Sequence, residues 1–327
     1  MIKNKKYQIL LFSICIAFLL CLNYGLGNNT RLSPGLLKDE LSTKAIAKEE
    51  SATKITSTEV IDKEESVVIN CLGVADLYDT KGMMNYNEFF SDNSSLSNLK
   101  EFNAKLNTEF EYFELGFQHL EQDTYYAGDK KFSDFDVEED LTNQVVNVDG
   151  NVKYVTPFKT VHFGQRTFNL LFDADDIYEG VGFTDADFTD GATVPVILGY
   201  DYKEFYHLGD ILELNYIFKP TKFEVIGFFK ENITFTLNIS EYNLNQYICL
   251  PYFDIVTIPE DKDAELFQLR YYLQKNHGYI AIPSHTTFDD KVLEKYKTSF
   301  SNLSNSYDLN YMMMEFLNYI IREPLAN

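Results

Sequence analysis

Tryptophan is absent from the 327 residues, and basic residues are few: 28 lysines and arginines stand against 50 acids, a net charge of −22. A surface this acidic repels nucleic acid and anionic lipid, which excludes nucleic-acid binding as a principal role. Histidines number 5, at positions 119, 162, 207, 277 and 285, and none sits in the zinc pattern HExxH. No GxxxxGK[ST] loop is present to cradle a nucleotide phosphate, and no GxSxG turn to present a nucleophile. Ser284 and His285 are neighbours in sequence, which does not orient a hydroxyl toward a base. The sequence thus offers no catalytic, cofactor-binding or metal site residues, and the expected function is non-enzymatic. Of the 4 cysteines, Cys15 and Cys21 fall in an apolar run. Cys71 and Cys249 remain, either as one disulfide of an oxidising compartment or as two buried thiols.

Long hydrophobic runs are equally scarce. One 16-residue run, Tyr7 to Leu22, follows a basic cluster of Lys3, Lys5 and Lys6. Basic flanks stay on the cytoplasmic side, so this segment points the rest of the chain outward. It is short for a spanning helix and slightly long for a signal core. Residues 1–27 are therefore a membrane anchor or a signal segment, with Gly25 and Gly27 spaced for cleavage after Gly27. An anchored chain would be single-pass with its domain outside; a cleaved one would be secreted. No later run crosses a bilayer: Tyr247–Ile258 reads as a core strand, and Tyr311–Ile321, which contains Glu315, as a core helix. Without residues 1–27 the chain keeps 25 basic against 50 acidic residues, or −25.

The rest of the chain is composed of two materials. Residues 28–66 are rich in Lys, Glu, Ser, Thr and Ala and hold no aromatic residue, which predicts a polar tether. Beyond it lie most of the phenylalanines and tyrosines that make the chain 15% aromatic, enough to require a packed core. VVINCLG (67–73) predicts a buried strand. Leu96, Leu99, Phe102, Leu106 and Phe110 predict a helix after Ser95, and EFEYFELGF (109–117) a strand with one wet face. From Gln122 to Leu250 short β-rich runs alternate with turn residues. They include the hairpin VVNVDGNVKYV (145–155) around Asp149-Gly150, RTFNLLF (166–172), ATVPVILGY (192–200), DILELNYIF (210–218), KFEVIGFF (222–229) and ITFTLNI (233–239). DKDAELFQLRYYLQKN (261–276), Asp289–Phe300 and Asp308–Ile321 predict helices, and GYIAIP (278–283) a strand. The expected fold is α+β: a βαβ-type lobe from 67–120 plus 251–327, with 121–250 as a β-rich inserted lobe. The acidic stretches DADDIYEG (173–180) and GFTDADFTDG (182–191) fail the EF-hand pattern and read as acidic turns.

PVILGYDYKEFYHLGDILELNY (195–216), followed by KFEVIGFFK (222–230), resembles the extracytoplasmic core domain of MacB/FtsX-type ABC transporter permeases. The stretches that carry it are Pro195-Val196, Leu208-Gly209-Asp210 and Val225-Ile226-Gly227, with 99–114 similar to Gram-positive versions. The same residues have plain readings: Gly209 permits positive φ, Asp210 satisfies loop amides, and Gly227 marks a bulge or a close backbone approach. The resemblance spans about 67–300. Phe183 stands where the family has an arginine, so no role of that arginine carries over. It implies a module that contacts a multi-spanning permease and its ATPase; an independent surface or secreted protein that binds another envelope protein is the alternative. The family's later membrane helices have no counterpart before Asn327. The loop Gly182–Gly191, with Phe183 and Phe188, is the expected contact point, since loops on a rigid frame carry recognition.

Overall fold

The computed structural model describes residues 66–78, 88–133, 135–136, 139–148, 151–284 and 286–322. The expected anchor, the tether, the Asp149-Gly150 turn and His285 lie outside them. Among the described residues no helix is long and apolar enough to cross a membrane. They form one compact unit that begins at Val67, mixed α+β and mostly sheet with few helices.

In chain order the strands are β1 (Val67–Asp76), β2 (Tyr112–Gly116), β3 (Leu120–Gln122), β4 (Phe135–Asp136), β5 (Glu139–Asp140) and β6 (Gln144–Val148). Next come β7 (Asn151–Phe158), β8 (Thr160–Phe163), β9 (Ile177–Gly180), β10 (Val194–Leu198), β11 (Ile211–Tyr216) and β12 (Lys219–Phe229). The last are β13 (Thr234–Leu237), β14 (Ser240–Asn243), β15 (Ile248–Pro251), β16 (Gly278–Ala281) and β17 (Tyr311–Arg322). The α-helices that accompany them include α1 (Ser95–Glu109), α2 (Gln165–Leu171), α3 (Lys262–Lys275) and α4 (Asp290–Ser306). A continuous sheet takes the order β14-β13-β17-β1-β16-β2-β8-β15-β10-β12-β11-β3-β7-β6, with β9 beside β12; β4 and β5 form a separate ribbon. Pairing is antiparallel except for β8 with β15 and β10 with β12.

Most of this sheet is covered on both faces, and the side chains say how. Successive residues of a strand point to opposite faces. Leu72, Tyr112, Val196, Leu198, Phe228 and Leu250 enter one apolar cluster with the helices α1, α3 and α4. Their neighbours Cys71, Phe113, Ile197, Phe229 and Cys249 enter a second cluster with Phe168 and Leu171 of α2. A strand buried on both faces loses the alternation of a half-wet one. That corrects the expectation for 109–117: Tyr112, Phe113, Glu114 and Leu115 are all buried, and β2 has no wet face. β11, at the sheet's thinner end, does alternate, with Leu212, Leu214 and Tyr216 in and Ile211 and Glu213 out.

The helices α1, α3 and α4 follow their apolar spacing. Leu99, Phe102 and Leu106 bury one stripe of α1. Asp261 caps α3 by accepting from Ala264 N, and Asp289 caps α4 by accepting from Lys291 N and Val292 N. Two elements differ from expectation. Most of the run 166–172 lies in α2, which ends at Leu171, because Thr167, Phe168 and Leu171 share one buried helical face and Gly164 opens the turn; Phe172 is the extended residue that follows. Residues 308–321 hold the strand β17 in place of a helix. Its pairing with β1 slips between Leu72 and Val74, and this bulge breaks the two-residue burial period from Met314 to Leu317. The residual spacing imitates a helix.

The segments 67–120 and 251–322 pack on each other, β1 pairing with β16 and β17, and β2 with β16. The sheet also crosses the expected borders at 121 and 250: β8 pairs with β2, and β13 with β17. Cys71 and Cys249 are free buried thiols. Gly209 has φ +83°, and Asp210 accepts from His207 N at 2.8 Å. Gly227 lies so close to β9 that a Cβ there would stand 2.5 Å from Val181 O.

Candidate functional site

A polar cleft of about 610 Å³ opens between α1, the start of α2, the loop after β9 and the segment after β15. One face of α1 supplies Lys100, Asn103 and Asn107, which recur at the three- and four-residue spacing of a single helical face. Glu114 comes from β2, Arg166 from α2, Asp254 from the segment after β15, and Lys275 from the last turn of α3.

Lys275 is the deepest charge, 2% exposed. A buried ammonium is tolerated only when paired and hydrogen-bonded. Its Nζ donates to Asp254 Oδ1 at 2.5 Å and to Phe253 O at 3.2 Å, and lies 3.9 Å from Glu114 Oε1. Glu114 Oε1 also accepts from Asn103 Nδ2 at 2.9 Å and Asn107 Nδ2 at 3.1 Å. The Glu114 carboxylate fits because residue 164 is glycine: a Cβ there would lie 2.5 Å from Oε2.

Two further cations rest on carbonyl oxygens. Arg166 donates to Tyr112 O at 3.1 Å and to Asn107 O at 3.4 Å. Lys100 donates to Ile255 O at 2.9 Å. Burial pulls the Lys100 pKa below the ordinary lysine value, against the pull of Asp190 and Asp254. Asp185 accepts from Gln165 Nε2 at 2.6 Å. The far wall is pinned by backbone: Asp254 N donates to Phe188 O, and Asp190 N to Asp254 O. Asp190 also accepts from Val256 N, Thr257 N and Thr257 Oγ1, and Ile255 N donates to the Tyr272 hydroxyl.

The loop Gly182–Gly191 is thus a wall of the cleft through Asp185, Phe188 and Thr189. Its two phenylalanines do not project as expected. Phe183 and Phe188 are each 7% exposed, and Phe183 packs 4.8 Å from the Phe168 ring. Of the acidic run 173–180, Asp173 caps a 3₁₀ turn and Asp176 pairs with Arg322 at 2.7 Å, buried. His277, just before β16, meets Asp76 at the end of β1 at 2.5 Å, away from the cleft lining. Glu114, Arg166, Asp254 and Lys275 were missed by sequence reasoning. One signal was present: Lys275 continues the buried face of α3 set by Gln268, Tyr271 and Tyr272, a lysine where the helix goes inside.

The chain matches no protein-family model, no curated protein and no solved structure.

Proposed function

We propose that the chain is a membrane-linked extracytoplasmic module, related to ABC transporter permease domains, that acts by protein contact in a transport or export system. In this reading residues 7–22 hold it at the cell membrane with the N-terminus inside. Residues 67–120 and 251–327 form a βαβ-type lobe, and 121–250 is the insertion that shapes its binding face. The partner is a multi-spanning permease with its ATPase, or another envelope protein.

The observation that supports contact is the rim of the cleft. Val256 is 71% and Ile258 87% exposed, large apolar side chains on a segment whose backbone Asp190 and Tyr272 hold in place. Apolar residues presented on a fixed loop favour a protein partner over solvent. Site-specific photocrosslinking from Val256 and Ile258 in intact cells tests this. A membrane-spanning transporter subunit in the adduct is expected. A soluble envelope protein alone would favour an independent surface module, and no adduct from either position in a folded protein would overturn the contact.

A further inference from the structure

We infer that two copies of this chain associate edge to edge through β6, in an antiparallel strand pair centred on Val146. No residue of β6 lines the cleft, and the contact does not depend on the partner proposed for the apolar rim.

β6 and β7 form a ribbon at the end of the sheet, and no strand lies beyond β6 among the described residues. The outer side of a terminal strand is a template for pairing with another chain. The ribbon is also apolar where it meets solvent. Val145 is 66% and Val152 62% exposed, and Tyr154, opposite Val145, is 40% exposed. Tyr125, itself 64% exposed, packs edge-on against Tyr154 at 5.4 Å. A ribbon of two strands is marginal in water, and further strands stabilise it.

Charge selects a second copy as the occupant. Open edges are commonly blunted by charged side chains. β14, at the opposite end of the sheet, carries Glu241, and β9 carries Glu179. The lengths of β11 and β17 that pair on one side only carry Glu213 and Glu315. β6, with the sequence QVVNV, carries no charge. Over residues 144–155 Asp149 and Lys153 cancel, in a chain of −22. Two such chains repel over most of their surface, and a neutral edge lets them touch without like charges meeting. β6 also pairs with itself without conflict. With Val146 on a two-fold axis, Val146 faces Val146, Val145 faces Asn147 and Gln144 faces Val148 of the other copy. Such an axis closes the contact at two copies and joins their ribbons into four strands. Two five-residue strands make a contact small beside the roughly 1,000 Å² of a stable interface, so the dimer is weak and concentration-dependent.

Sedimentation equilibrium of the full-length chain in a nonionic detergent tests the pairing. Half-association is expected at roughly 100 µM. Val146→Lys sets two ammonium groups face to face on the axis. It should weaken the dimer about tenfold or more, since like charges directly opposite destabilise a strand pair. Any association through residues 7–22 would persist in that variant. Should Val146→Lys fail to fold, a cysteine trap decides. Oxidised glutathione should join two copies of the Val146→Cys chain through a disulfide, itself being reduced to two thiols, because directly opposed strand positions lie within disulfide reach. Val152→Cys, exposed on β7 but off the edge, should not be trapped. A wild type still monomeric at about 500 µM, a Val146→Lys chain that associates equally, or equal trapping of the two cysteine variants overturns the proposal. None of these results touches the crosslinks expected from Val256 and Ile258.

Discussion

His162 sits fully buried on β8, its ring stacked between Tyr216 at 5.4 Å and Tyr252 at 5.0 Å. Burial disfavours its charged form and pulls its pKa from 6.5 down to about 3. The unfolded chain takes up this proton near pH 6.5, while the folded chain refuses it until about pH 3. In that window the unfolded state binds more protons, so stability is full above pH 6.5 and falls as pH drops through the window. From about pH 7 to about pH 5 the loss is about 2 kcal/mol, at 1.36 kcal/mol per unit. His162→Phe keeps an aromatic ring in the stack and removes the proton site. Urea unfolding at both pH values should show the wild type losing about 2 kcal/mol more than the variant. Carboxylates elsewhere contribute alike to both proteins, so equal losses would refute the buried neutral histidine.

At the scale of elements, α2 shows how seven residues can hold a whole wall. Phe168 lies among Phe163, Phe172 and Phe183, with ring centroids 6.3, 5.4 and 4.8 Å away. Phe168→Ala should cost about 3–5 kcal/mol in chemical denaturation, the range for emptying a buried aromatic site. Because Phe183 leans on that ring, the loss should spread: hydrogen exchange of 182–191 should quicken in the native state. Exchange that changed only within α2 would show the loop to be held by Asp254 alone. The sequence made some elements legible and hid others for physical reasons. The helices α1, α3 and α4 were legible from their apolar spacing and acidic or polar starts, and the β6–β7 pair because its strands flank the Asp149-Gly150 signal in sequence. α2 was hidden because a seven-residue helix is too short to show a helical period, and with Phe172 just beyond its end the run reads as an apolar strand. β17 was hidden by the bulge that shifts its burial phase. The cleft was hidden more deeply. Its charges come from β2, α2, α3 and the segment after β15, and only tertiary packing brings Glu114, Arg166, Asp254 and Lys275 together. Glu114 lies inside a run whose alternation suggests a half-wet strand, where an acid needs no partner.

For the molecule as a whole the decisive strand is β17, which lies between β13 and β1 in the sheet. It runs along β1 from Val67 opposite Arg322 to Asp76 opposite Tyr311. At the other edge Thr236 and Leu237 of β13 pair with Ile321 and Ile320. It also closes both cores, sending Tyr311 and Met313 into the cluster beneath α1, α3 and α4, and Ile320 into the cluster around Phe163. Its last residue, Arg322, pairs with Asp176 in the buried turn before β9, so one strand links all three portions of the chain. A chain ended after Asp308 would strip the hydrogen-bonding edges of β1 and β13. It would remove four buried apolar side chains, Leu309, Tyr311, Met313 and Ile320, worth about 1.5–3 kcal/mol each. It would also leave the Asp176 carboxylate buried and unpaired, a further cost of about 3–5 kcal/mol. Domains are stable by only about 5–15 kcal/mol, so the sum reaches the whole of it. The truncated chain should show no cooperative unfolding transition in urea. Arg322→Met, which loses the pair with Asp176 and the guanidinium over the Phe172 ring but keeps the strand, should keep the transition at a lower midpoint. A cooperative transition in the truncated chain would instead make β17 an added strand on a sheet that stands without it.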